Sequence, residues 1–182
     1  MNEIIAFLLG TAVNIWLSWR PLRAPGAHGF YRFFAWEAIL VLIILNYKPW
    51  WRESYWQHPF SSRLLLLLSL ALVYLGFRQL KRAGQVDKRR GDTALYGFEK
   101  TTRLVTSGIY AHIRHPMYAS LLALTWGICL WAPSLAALLI AAVASLFLCL
   151  TALADERECL VYFGAEYADY MRRTRRFIPG LY

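Results

Sequence analysis

Residues Pro133 to Ala154 read PSLAALLIAAVASLFLCLTALA, 22 positions without a charged side chain. Crossing a bilayer's hydrocarbon core of about 30 Å takes about 20 helical residues, with roughly 17 as the lower limit. This run meets that length unaided. Working outward from it, four further apolar runs appear: Ile4 to Trp19, Phe33 to Tyr47, Leu64 to Phe77 and Tyr118 to Trp131. Several reach spanning length only with their Trp, Tyr or Arg flanks, where interfacial anchors belong. A soluble helical bundle would instead carry polar stripes at the helical period. The chain is 58% apolar and 17% charged, and the charge is gathered between the runs. The expected fold is therefore an all-α integral membrane protein, with about five transmembrane helices and a cytoplasmic C-terminal amphipathic helix.

One membrane domain over 1–182 is expected, with three transmembrane helices in 1–80, a cytoplasmic loop in 81–117, and a helical hairpin with a tail in 118–182. The first run has no basic residue before it and no small-residue cleavage site after it, so it reads as a membrane helix rather than a signal peptide. Alternating the connecting segments places 17 basic residues on one side and 3 on the other. By the positive-inside rule the N-terminus is expected outside and the C-terminus in the cytoplasm. The net charge of +9 then reads as attraction to anionic lipid, with no nucleic-acid partner required. Cys129, Cys149 and Cys159 show no disulfide spacing, and His28, His58, His112 and His115 form no ligand cluster with them. Three reduced thiols and no metal site are expected.

Two segments place polar chemistry at the cytoplasmic ends of the last two helices. The first is SGIYAHIRHPMYASLL, Ser107 to Leu122. Pro116 suits the first turn of a helix, which holds Arg114 and His115 at the N-terminal mouth, where unpaired N–H groups favour anions. His112 and His115 share a face if this stretch is helical. An interfacial belt of snorkelling side chains is the alternative. The second is LADERECLVYFGAEYADYMRRTRRFIPGLY, Leu153 to Tyr182. Leu160, Phe163, Tyr167 and Tyr170 recur at helical spacing, as on an amphipathic helix lying on the membrane. Asp155 and Glu156 are the anomaly, because carboxylates at a helix C-terminus oppose its dipole and invite a cation. The short WAPS turn, Trp131 to Ser134, makes the two helices neighbours. An anion-preferring mouth then faces a cation-preferring acidic pair, a setting for a zwitterionic ligand.

LVTSGIYAHIRHPMY and the tail from Asp155 resemble, in order and over roughly the last 80 residues, the isoprenylcysteine carboxyl methyltransferases and the related phospholipid methyltransferases. The resemblance implies S-adenosylmethionine as cofactor and S-adenosylhomocysteine as product. It implies a pocket lined by Leu104, Val105, Tyr110, His115, Pro116, Met117 and Tyr118, with Asp155 or Glu156 on the ligand's ammonium. Arg114 and Glu156 become the expected catalytic pair, Arg114 standing near the ligand carboxylate or bracing the acidic pair. A lipophilic acceptor would enter laterally from the bilayer, and His112 or His115 could take a proton from it.

Departures from the family pattern are Thr102 in place of His and Ile109 in place of Pro. The turn Thr151, Ala152, Leu153 lacks the Arg expected for a prenylcysteine carboxylate. A prenylated cysteine carboxylate, a phosphatidylethanolamine-type amine and a smaller thiol or isoprenoid all stay open as acceptors. Glu37, in the second run, either faces the acceptor or pairs with Arg32 or another basic residue. An NADPH-dependent membrane reductase on a related scaffold and a non-enzymatic membrane protein are the competing readings.

Overall fold

The structure is a computed structural model that describes residues 2–52, 59–84 and 102–181. Among these there are six α-helices: α1 Asn2–Ser18, α2 His28–Arg52, α3 Phe60–Ala83, α4 Pro116–Trp131, α5 Leu135–Phe163 and α6 Ala165–Arg173. Residues 85–101 of the expected cytoplasmic loop, with Lys88, Arg89, Arg90 and Lys100, lie outside the described residues, as does His58.

α2 packs on α5 and α3 on α4, with α1 against the outside of α2. On α5 a stripe of Ala137, Ala141, Ala144, Leu148 and Ala152, all fully buried, meets Ala35, Ile39 and Leu42 of the α2 face. Small side chains let membrane helices approach closely, which suits a solvent that gives no hydrophobic push between helices. Gly127 does the same between α4 and α3. A Cβ there would stand 2.8 Å from a Leu66 methyl and 3.2 Å from the Leu66 main-chain nitrogen. Ser62 uses that proximity to donate to the Gly127 carbonyl at 2.6 Å. The WAPS turn ends in Ser134, whose hydroxyl caps α5 by accepting from the Ala137 N–H at 3.1 Å.

Three of the helices are long and apolar enough to cross a membrane, over His28–Lys48, Phe60–Ala83 and Leu135–Phe163. α1 and α4 are apolar but shorter, at 17 and 16 residues. Of the five expected spans, three are thus helices of full spanning length among the described residues, and the other two runs form shorter apolar helices. Large apolar side chains such as Leu9, Trp16, Leu67 and Leu139 point outward, as they would toward lipid.

Two expectations change. α5 does not stop at the acidic pair but continues to Phe163, because Glu156, Arg157, Glu158, Cys159 and Leu160 contain no helix breaker. Asp155 and Glu156 therefore sit inside a helix, and the opposing-dipole argument does not apply to them. The stripe from Leu160 to Tyr170 is also divided. Gly164, at φ +59° and ψ −131°, ends α5 in a conformation that L side chains rarely adopt. The short α6 turns back, so that Tyr167 and Tyr170 are buried in protein.

Glu37 of α2 is engaged by two polar side chains of α1. Thr11 donates to its Oε2 at 2.9 Å and Asn14 to its Oε1 at 2.7 Å. This polar clasp joins α1 to α2.

Candidate active site

The two polar segments meet at one end of the helix pairs. Residues 108–111 form a 3-10 turn, not the start of a longer helix, and His112 follows it with its side chain exposed. His112 and His115 consequently do not share a face. His115 is buried and occupies the N-cap of α4, with Pro116 at the first helical position.

A short strap holds this stretch. Residues 112–115 pair alongside the tail, with Ile113 bridged in parallel to Arg175. The Arg114 N–H donates to the Arg175 carbonyl at 2.8 Å and the His115 N–H to the Arg176 carbonyl at 3.1 Å. Tyr170 of α6 adds a hydrogen bond from its hydroxyl to the Tyr110 carbonyl at 2.7 Å. Burial pushes the Tyr167 and Tyr170 phenols above their ordinary range, so both remain neutral.

Glu156 is the hub beneath the strap. Arg114 reaches its Oε1 through Nε and Nη2, each at 2.9 Å. Arg176 engages both oxygens, at 3.1 and 2.8 Å. The Arg114 Nη1 is also used, by the Met171 carbonyl at 3.2 Å and by the Thr174 carbonyl. His115 completes the cluster with Nε2 3.3 Å from Glu156 and Nδ1 3.4 Å from Asp155. Burial works against a charged imidazole, but the two carboxylates outweigh it and raise the His115 pKa above its ordinary 6.5.

Over this cluster lies a cavity. Leu104, Val105, Tyr110 and Arg114 form part of its wall, and His115, Pro116, Met117 and Tyr118 continue it along the mouth of α4. Asp155 faces into it from α5. All of these were singled out by the sequence. Glu156, the other half of the acidic pair, is not in the wall: one helical position further round, it points into the Arg114–Arg176 cluster. Tyr118 stacks on the His115 ring, with centroids 5.3 Å apart.

Sequence reasoning missed several neighbours. Arg176 carried no signal, because its role depends on the tail folding back. Glu158, Cys159 and Phe163 of α5 and Leu80 of α3 also line the cavity. Glu158 was open to detection, since a helix carried past Asp155 brings the residue three positions on to nearly the same face. Among the described residues no group of three or more His, Cys, Asp or Glu is placed to hold a metal ion.

A carboxylate and an imidazole stand beside aromatic faces, in a cleft closed on one side by protein and flanked by apolar helices. That fits a small molecule carrying both signs of charge and a flat ring.

Helices of spanning length beside a polar cavity define the class as a membrane protein. The family model described as phospholipid methyltransferase matches residues 58–163, more than half of the chain, and the chain belongs to that family. Among curated proteins it is 28% identical to the cobalt-zinc-cadmium resistance protein CzcN of Cupriavidus metallidurans over 152 residues, which cover 83% of this chain and 65% of that protein. It is 34% identical to methanethiol S-methyltransferase 1 of Bradyrhizobium diazoefficiens over 88 residues, 47% of this chain and 30% of the relative. The chain thus spans less than two thirds of the length of either relative. No solved structure matches it.

Proposed function

We propose that this chain is an S-adenosylmethionine-dependent methyltransferase acting on a lipophilic acceptor at the cytoplasmic membrane interface, with its N-terminus outside and its C-terminus inside. The observation that carries the reading is the meeting of Asp155 with His115 and Tyr118 in one cavity, on elements some 40 positions apart in sequence. Family membership supports it.

The residues fit such a cofactor. Asp155 is the acceptor for the ammonium group, since Glu156 is already surrounded by cations. The α4 mouth and His115 suit the carboxylate. Tyr110, Tyr118 and Tyr167 offer ring faces to the sulfonium and the base, a cation–π contribution of roughly 0.5–2 kcal/mol depending on desolvation. When bound, S-adenosylmethionine supplies a methyl group already activated by positive sulfur. The protein's task is then alignment and exclusion of water, and proximity is worth on the order of 7–11 kcal/mol in favourable cases. Arg114 and Glu156 act as positioning residues: their ion pair fixes the strap on which His115 and Tyr110 stand.

For the acceptor, an isoprenylcysteine carboxylate and a phospholipid amine both fit entry from the bilayer past Leu80, Met117 and Phe163. A thiol is a second reading, favoured by one observation. Thr151 and Ala152 are fully buried against neighbouring helices, so that turn of α5 presents no cation to a carboxylate. The name of the matched methanethiol S-methyltransferase points the same way. The test is transfer of labelled methyl from S-adenosylmethionine, in proteoliposomes, to a farnesylcysteine analogue, to phosphatidylethanolamine and to an alkyl thiol. Transfer to one of these is expected. The absence of transfer to any, with the reconstituted chain still binding S-adenosylhomocysteine, would remove the acceptor assignment.

A further inference from the structure

One residue of the N-terminal half reaches the cavity wall indirectly. His28 opens α2 and is fully buried. Its main-chain N–H donates to Glu158 Oε1 at 2.8 Å, and its Nδ1 lies 2.6 Å from Glu158 Oε2. Glu158, 130 positions away, lines the cavity with its side chain about a third exposed. A single carboxylate thus caps the start of α2, where free N–H groups and the helix dipole favour an anion, while facing the ligand space. The His28 Nε2 is buried without a hydrogen-bond partner among the described residues. Leaving such an atom unpaired costs about 1–3 kcal/mol. An apolar side chain would avoid that cost, so the imidazole's contribution here lies in its grip on Glu158.

Asp155 and Glu158 are three positions apart on α5 and both line the cavity, yet their settings differ. The polar contacts of Asp155 are long, 3.4 Å to His115 and 3.7 Å to the Cys159 sulfur. Its charge is available to a cation. Each Glu158 oxygen already accepts one short hydrogen bond and keeps one further lone-pair position. Two half-used oxygens side by side match two neutral donors on adjacent carbons better than a second full charge.

We propose that Glu158, oriented by His28, accepts hydrogen bonds from a vicinal diol of the ligand, and that His28 is its positioning residue. This rests on the reading that the cavity takes S-adenosylmethionine, whose ribose carries such a diol. The start of α2 thereby becomes part of the ligand site.

The experiment is calorimetric titration of the detergent-solubilised full chain with S-adenosylhomocysteine and with its 2′,3′-dideoxy analogue. Wild type is expected to favour the hydroxylated ligand by about tenfold, the equivalent of about 1.4 kcal/mol. Glu158→Ala should bring that ratio toward one while retaining measurable binding through Asp155. His28→Ala, which leaves the carboxylate in place but unheld, should lower the ratio as well, and His28→Asn, which restores a donor, should recover part of it. A purely structural role would weaken both ligands equally. A ratio near one in wild type, or one unchanged in both alanine variants, overturns the proposal and leaves the cofactor reading standing. No binding of S-adenosylhomocysteine by wild type overturns the cofactor reading itself.

Discussion

Arg176 grips Glu156 with two nitrogens, Nη2 at 2.8 Å from Oε2 and Nε at 3.1 Å from Oε1. The contact ties the tail to α5, and through Arg114 to the approach to α4. The Glu156 side chain is only 5% exposed, so its charge depends on these partners. Removing one partner of a buried pair costs about 3–5 kcal/mol, whereas the intact pair adds much less than that to stability. Arg176→Ala should therefore lower the thermal midpoint of the solubilised chain by several degrees, and Arg176→Lys, which loses the two-pronged geometry, should fall between. Equal midpoints for all three would show that the tail is not held this way.

His115 makes a pH prediction with a definite sign. Its folded-state pKa is raised above 6.5 by Asp155 and Glu156 against the opposing effect of burial. The folded chain then binds more protons than the unfolded chain between those two values, so stability falls as pH rises through that window. The contribution is complete below 6.5 and absent above the folded value. His115→Gln should flatten this part of the profile, read as the difference in thermal midpoint between variant and wild type across pH. A variant that loses stability equally at every pH would contradict the assignment.

Glu37 separates stability from function. Thr11 and Asn14 both donate to it at the α1–α2 contact. Glu37→Ala leaves two donors unmet, at about 1–3 kcal/mol for each buried one, and Glu37→Gln keeps one acceptor. The expected outcome is a lower thermal midpoint for Glu37→Ala, a smaller drop for Glu37→Gln, and unchanged affinity for S-adenosylhomocysteine in both. A specific loss of ligand affinity would return Glu37 to the site.

Gly164 is the point at which α5 becomes α6. At φ +59° and ψ −131°, a side chain costs on the order of 1–3 kcal/mol, although a Cβ would meet no atom within 4 Å. Gly164→Ala should therefore destabilise through backbone strain alone. It should also loosen the Tyr170–Tyr110 hydrogen bond, read as faster amide exchange over residues 108–111. Normal exchange with full stability would mean that the turn tolerates the substitution.

What the sequence revealed follows from how local each signal is. The apolar runs mark the helices because the bilayer imposes a length. Pro116 marks the α4 start because its ring sets φ and removes a donor. The neighbouring Asp155 and His115 were legible from the short Trp131–Ser134 turn, which forces the hairpin closed. Boundaries were less legible: α2 begins at His28 and α5 runs to Phe163, since polar residues extend a helix as readily as apolar ones. The division of labour within the acidic pair could not be read at all. It depends on Arg176 returning along residues 112–115, a parallel pairing across some 60 positions that no local pattern encodes. The His28–Glu158 contact escaped for the same reason.

The most direct measurement of the central claim is calorimetry of S-adenosylhomocysteine with the full solubilised chain, wild type against Asp155→Asn and Glu37→Gln. Binding to wild type and to Glu37→Gln with equal affinity, weakened about tenfold or more in Asp155→Asn as a charge-assisted hydrogen bond is lost, is the expected result. Absence of binding to wild type, or equal affinity in Asp155→Asn, would contradict a cofactor cavity built around that carboxylate.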